Sequence, residues 1–180
     1  MLLALDISTS CTGYCLFDEN GLVDIGSINL SKHKGLYEKA LHVKTEIIKL
    51  GKRYSIKKVV VEENLQAFRP GLSSAKTLMT LAQFNGVVRW ICYECLAVPV
   101  EAINVNTARK NVGLKINKKD KSRTTKEKVL DWVSSDNPSI KWPTKILKSG
   151  PNKGQKRFCN EAYDMADAYV IGKSYLTEVN

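Results

Sequence analysis

The chain has 180 residues, 43% hydrophobic and 26% charged, the make-up of one ordinary globular domain with its own core. No apolar run approaches the ~20 residues of a membrane span, and the N-terminus lacks the basic, apolar and small-residue segments of a secretory signal, so neither a membrane protein nor a secreted one is expected. Lys and Arg total 28 against 18 Asp and Glu, and the net charge of +10 points to an anionic partner, most often nucleic acid.

Residues 2–7, LLALDI, read as a strand buried on both faces. TGYCLFDENG and LVDIGSINL read as the next two strands, joined by a turn at 18–21, so the chain opens as an antiparallel meander. From Leu36 the period changes: Leu36, Ala40, Val43, Ile47, Leu50 and Tyr54 step by four and three, which is one helix face. IKKVVVEEN is a second buried strand, and a crossover of this length lays it parallel to the first. A loop then leads into a long helix capped by Ser73 or Ser74. Leu72, Ala75, Met79, Ala82, Gly86 and Trp90 mark one face of it, and Leu78, Leu81, Val88 and Cys92 another. A helix so widely apolar is deeply buried or helps to bury a second subunit. VPVEAIN is a strand, NTARKNVGL a short helix or turn, and KINKKDKSR a basic loop. TTKEKVLDWV is a helix capped by Thr124 or Thr125. Residues 136–158 carry no period and form a basic loop or hairpin, and NEAYDMADAYVIGKSYL is the last helix. With no repeat and no linker, residues 1–180 are expected to form one α/β domain, a mixed sheet with helices on its faces.

Five Cys are present, with Cys11 and Cys15 in a CxxxC and Cys92 and Cys95 in a CxxC. A four-thiolate zinc site is one reading. All four lie in apolar patterns, so buried free thiols in a reducing, cytoplasmic setting are expected.

Three acidic sites interrupt apolar patterns. Asp6 ends the first strand, Glu62 follows VVV with Glu63 beside it, and Asp164 and Asp167 share one face of the last helix. A carboxylate taken out of water costs several kcal/mol, of order, unless it is paired. If Asp6 and Glu62 lie on adjacent parallel strands, the last helix can close over them. Four converging carboxylates then repel one another, and hard divalent cations, Mg²⁺ or Mn²⁺, would relieve that. Two such ions would activate a water and stabilise the leaving oxygen of a phosphodiester.

LALDISTSCTGYCLF resembles the first strand and turn of the RuvC family of Holliday-junction resolvases, within the ribonuclease-H-like superfamily. VVVEEN resembles that family's second acidic strand, SSAKTLMTLAQFNGVVRWICYECLAVPVEAINVNTARKNVG its long helix and following basic turn, and YDMADAYVIG its closing D-x-x-D-A helix. The likeness spans most of 1–135 and 160–175 and extends to bacteriophage-type members. It implies a mixed five-stranded sheet, three antiparallel strands followed by parallel ones. It implies Asp6, Glu62, Asp164 and Asp167 as ligands of two Mg²⁺ or Mn²⁺ ions, with Asp6 bridging, and Lys126 beside the scissile phosphate. It implies a homodimer that cuts a four-way DNA junction in paired fashion, leaving 5′ phosphates. Arg109 and Lys110 sit where the family places basic residues. With Lys118, Lys119, Lys121 and Arg123 they are the expected DNA-backbone contacts. Phe68, beside Arg69 in QAFRPG, lies further along than the family's junction-stacking aromatic. It either wedges between base steps or covers the core. The 136–158 segment is longer and more basic than usual in the family, so three-way or flap-like branches join four-way junctions as candidate substrates. Other readings are a non-catalytic branched-DNA binder and a ribonuclease of the same superfamily. DISTSCTG also resembles the phosphate loop of sugar-kinase and actin-like ATPases, but those need a duplicated half with a second such loop, and with no repeat in the 180 residues that reading is not the one expected.

Overall fold

The computed structural model describes residues 1–63, 74–117 and 119–179. The strands are β1 (Leu2–Ile7), β2 (Cys11–Asp18), β3 (Gly21–Asn29), β4 (Lys58–Glu62) and β5 (Val100–Ile103). The helices are α1 (Leu36–Arg53), α2 (Ala75–Leu96), α3 (Val105–Asn111), α4 (Thr125–Asp136) and α5 (Asn160–Val179). A separate two-stranded hairpin, β6 (Thr144–Ile146) with β7 (Lys156–Phe158), falls within the basic segment before α5. The five-stranded sheet has the order β3-β2-β1-β4-β5. β1, β2 and β3 are antiparallel neighbours, whereas β4 runs parallel to β1 and β5 parallel to β4. This is the expected α/β arrangement, and its order explains the apolar run of β1: the central strand is covered on both sides, and all six of its residues are buried.

Strand alternation divides the core. Leu3, Leu5, Val59 and Val61 face α1 and α2, where they meet Val43, Ile47, Val88 and Cys92. Leu2, Ala4 and Val60 face the other way, onto Ala162, Ala166 and Val170 of α5 and Val129 and Val133 of α4. Local signals set the helix starts. The Glu38 carboxylate accepts from the N–H groups of Lys34 and Gly35, Ser74 Oγ accepts from Thr77 N–H at 3.1 Å, and Thr124 with Glu127 forms a capping box on α4. Of α2's two apolar faces, only that of Val88 and Cys92 is buried; Met79 is 64% exposed, Trp90 58% and Tyr93 63%. No helix among the described residues is long and apolar enough to cross a membrane.

Helix α5 lies unusually close to the sheet, and glycine is the reason. A Cβ on Gly13 of β2 would stand 2.1 Å from the Asp164 carbonyl oxygen and 2.7 Å from Met165 N. A Cβ on Gly172 would stand 2.5 Å from the Phe17 ring. These two positions let the backbone of α5 rest on β2, which pairs Gly13 directly with Asp6 of β1. From its midpoint on, α5 is tied to the end of α4, with Tyr169 Oη donating to Asp136 at 2.6 Å and Lys173 paired to the same carboxylate.

Candidate active site

The parallel pairing of β1 and β4 matches Leu5 with Val61, so Asp6 and Glu62 are the next residues on two adjacent strands. Both follow the alternation that points Ala4 and Val60 toward α5. Asp164 and Asp167 face back from the first half of α5, one helical turn apart. All four carboxylates line one cavity of about 600 Å³, together with Glu63, Asn85, Arg109, Lys126 and the serines of the β1–β2 turn. Asp6, Asp164 and Asp167 are buried, 6–8% exposed, and Glu62 is half-buried.

Two cations enter this acidic pocket. Lys126 Nζ, from the first turn of α4, donates to Asp164 Oδ1 at 3.1 Å, and Arg109 Nη2, from α3, to Asp167 Oδ1 at 3.3 Å. Two cations against four carboxylates leave the pocket under-neutralised, and the proton affinities record it. Burial first, then the charges of Asp167, Glu62 and Asp164, raise Asp6 well above the ordinary carboxylate range. Burial and Asp167 raise Glu62 too, against the opposing pull of Arg109 and Lys126. The hydrogen bond between Asp6 and Glu62 favours the proton on Asp6. Asp167 is raised by burial, and Arg109 and Lys126 only partly offset it. Burial works against the charge of Lys126, but Asp164, Asp167 and Asp6 outweigh it and hold its ammonium above the ordinary value. Burial and Asp164 push the neighbouring Cys11 thiol up to about 12.

An all-oxygen set of carboxylates suits a hard divalent cation. As they stand, with Lys126 on Asp164 and Arg109 on Asp167, no three Asp, Glu, Cys or His side chains among the described residues are arranged to hold a metal. The residues nevertheless fit such an ion. The donors are of the right kind: four carboxylates converge on one cavity that Arg109 and Lys126 share, and Asp6, raised by burial first, is raised further by the charges of Asp167, Glu62 and Asp164. The Lys126 side chain is 57% exposed, while its partner Asp164 is 9% exposed.

The other expected site residues spread outward from the pocket. Lys110 lines an adjoining cavity with Arg109, Lys115 and Thr125. Lys119, Lys121 and Arg123 are exposed on the loop leading into α4, with Arg123 paired to Asp131. Phe68, Arg69 and Lys118 lie outside the described residues. Two site residues were missing from the sequence reading. Gly13 sets the height of α5 over Asp6, and an isolated glycine inside a strand pattern is a signal of close backbone approach. Asn85 is buried within the apolar face of α2; its Nδ2 donates to the Glu62 carbonyl at 3.3 Å, while its Oδ1 has no partner among the described residues. A lone buried amide between Phe84 and Val88 was the available signal.

No protein-family profile and no curated protein sequence matches the chain. Solved structures do. RuvC of Thermus thermophilus, in complex with a Holliday-junction substrate, aligns over 99% of this chain and 93% of its own, with a TM-score of 0.65 at 16% identity. A second T. thermophilus RuvC structure gives 0.60 at 16% identity, over 99% of this chain and 94% of that one. The yeast mitochondrial Holliday-junction resolvase Ydc2 gives 0.55 at 14% identity, over 98% and 77%. The resemblance read from the motifs is thus borne out in the fold over nearly the whole chain.

Proposed function

We propose that the chain is a divalent-metal-dependent endonuclease that cuts branched DNA, four-way junctions foremost, leaving 5′ phosphates. The observation that carries this reading is the meeting of Asp6, Glu62, Asp164 and Asp167 in one cavity at the ends of two parallel strands, beside Lys126 and Arg109. The shared fold with two resolvases and the net charge of +10 support it. Asp6, Glu62, Asp164 and Asp167 would hold a pair of Mg²⁺ or Mn²⁺ ions. When bound, the metal supplies Lewis-acid stabilisation of charge on the phosphate and on the departing 3′ oxygen.

The chain's own groups do the rest. Lys126, released from Asp164, neutralises charge growing on the non-bridging phosphoryl oxygens. Arg109 stays against Asp167 and keeps that carboxylate turned into the pocket. Glu62 is fixed through its own carbonyl by Asn85. Lys110, Lys115, Lys119, Lys121 and Arg123 line the approach and hold the DNA backbone, so binding falls steeply with salt. Such contacts select the branch by shape rather than by base edges. Paired cuts need two such sites, and the exposed stripe of Met79, Gln83, Gly86, Trp90 and Tyr93 along α2 is the surface on which two copies would join.

Digestion of a synthetic four-way junction, a three-way branch, a plain duplex and an RNA–DNA hybrid, each with Mg²⁺, with Mn²⁺ and with EDTA, tests the reading. Metal-dependent paired nicks in the junction are expected. Junction binding without cleavage under either metal would make the chain an architectural binder, and preferential cutting of the hybrid would make it a ribonuclease.

A further inference from the structure

The cavity between α4 and the β6–β7 hairpin is separate from the acid pocket but shares a wall with it. Lys126 lines the acid pocket and Glu127 this cavity; Asp164 lines the acid pocket and Tyr163 this cavity. Consecutive Cα atoms are about 3.8 Å apart, so the partition is one residue thick on each helix. The cavity measures about 600 Å³, within the roughly 300–1,000 Å³ of small-molecule sites. Leu130, Tyr163 and Phe158 give it an apolar lining, and Lys156 and Arg157 a cationic rim. Its two acids are engaged: Asp131 with Arg123, and Glu127 with the backbone N–H and hydroxyl of Thr124.

The hairpin itself is poorly supported by the core. All six residues of β6 and β7 are exposed, and a lone two-stranded hairpin is marginal in water. Its register pairs Thr144 with Phe158 and Ile146 with Lys156, so these four share one face, and Thr144, Lys156 and Phe158 line the cavity. Ile146 is 66% exposed and Phe158 40%. From residue 137 to 160 the chain carries Lys141, Lys145, Lys148, Lys153, Lys156 and Arg157 and no Asp or Glu. None of these six forms an ion pair among the described residues. An aromatic ring exposed in a segment of six cations and no acid, where Arg157 also acts on the Glu127 carboxylate of α4, suits a nucleobase with its phosphates better than an apolar protein surface.

Building on the function proposed above, we infer that this cavity seats one unstacked nucleotide of the strand being cut. At about 3.4 Å per stacked nucleotide, the shared wall places it within about three nucleotides of the scissile phosphate. Phe158 and Tyr163 take the base and Lys156 and Arg157 its flanking phosphates. The substrate is therefore a strand whose stacking is already broken near the cut, as at a branch point.

The test uses the full chain in EDTA with a four-way junction carrying 2-aminopurine at each of three positions on either side of the cut. One position is expected to brighten several-fold on binding, and Phe158→Ala should abolish that rise and weaken binding on the order of tenfold. An abasic nucleotide at that position leaves the protein untouched; it should weaken wild-type binding by a similar factor and leave binding by Phe158→Ala unchanged. If no position brightens, or if the abasic junction binds wild type as tightly as the intact one, the inference fails. If Lys156→Ala and Arg157→Ala reduce the salt dependence while no 2-aminopurine signal changes, the hairpin grips backbone only and the nucleotide seat is overturned. Cleavage with Mg²⁺, measured in parallel, separates this failure from that of the nuclease reading. A junction cut normally without a brightened base sinks only the seat, and a junction bound but never cut sinks the nuclease.

Discussion

Gly13→Ala adds one methyl group at the place where α5 rests on the sheet. The new Cβ would lie 2.1 Å from the Asp164 carbonyl oxygen, and bringing that contact even to 3.0 Å needs a movement of about 0.9 Å. The atoms in the way are helix backbone, so no side-chain rotation relieves the clash, and the start of α5 must move, carrying Asp164 and Asp167 with it. Overpacking of this kind costs about 1–3 kcal/mol. At about 2–4 °C per kcal/mol for a chain of this size, the melting temperature should fall by about 2–12 °C. Displacing reacting groups by about 1 Å costs on the order of 100-fold in rate. The expected outcome is a folded protein that binds a four-way junction within a few-fold of wild type and cuts it about 100-fold more slowly at saturating Mg²⁺. Single-turnover cleavage and a thermal melt on the same preparation measure both. A variant that melts within 1 °C of wild type and cuts at the wild-type rate would show that α5 does not depend on Gly13 for its seat over the acids.

Asp6→Asn tests the cost of the crowded carboxylates. Because the folded chain holds the Asp6 proton more tightly than the unfolded chain does, metal-free stability is highest below the ordinary carboxylate range. It falls as pH rises through the raised value and stays low above it. The variant should therefore melt higher than wild type in EDTA at pH 7–8, lose this part of the pH dependence, gain less from Mg²⁺ and bind junctions without cutting them; an unchanged or lower melting temperature would refute the electrostatic argument. Lys126→Met removes the cation paired with Asp164, and a loss of about 10²–10³ in single-turnover rate with little change in junction affinity is expected; a change in affinity alone would make it a backbone contact. Trp90→Glu buries a charge if α2 faces a second copy, so sedimentation should show a loss of dimer with the monomer's melting curve unchanged; an unaltered sedimentation coefficient would remove α2 from the interface.

Much of this was legible in the sequence because burial leaves a periodic trace. The apolar runs of β1 and β4 reveal strands covered on both faces, and the four-three spacing of α1 reveals its core side. The acids stood out because each interrupted such a run. Other features left no trace. Both faces of α2 are apolar, so composition alone could not say that Val88 and Cys92 pack inside while Trp90 faces outward. The β6–β7 strands are three residues each and exposed, too short for alternation to register. The pairing of Lys126 with Asp164 joins residues 38 positions apart through the packing of α4 on α5, and no local pattern encodes that distance.

The most direct measurement is anomalous diffraction from a crystal of the wild-type chain soaked in Mn²⁺. The expected result is Mn²⁺ density among the carboxylates of Asp6, Glu62 and Asp167, with Lys126 moved off Asp164. Saturating Mn²⁺ that leaves the pocket empty, or that binds only elsewhere on the surface, would contradict a metal-dependent nuclease at this site.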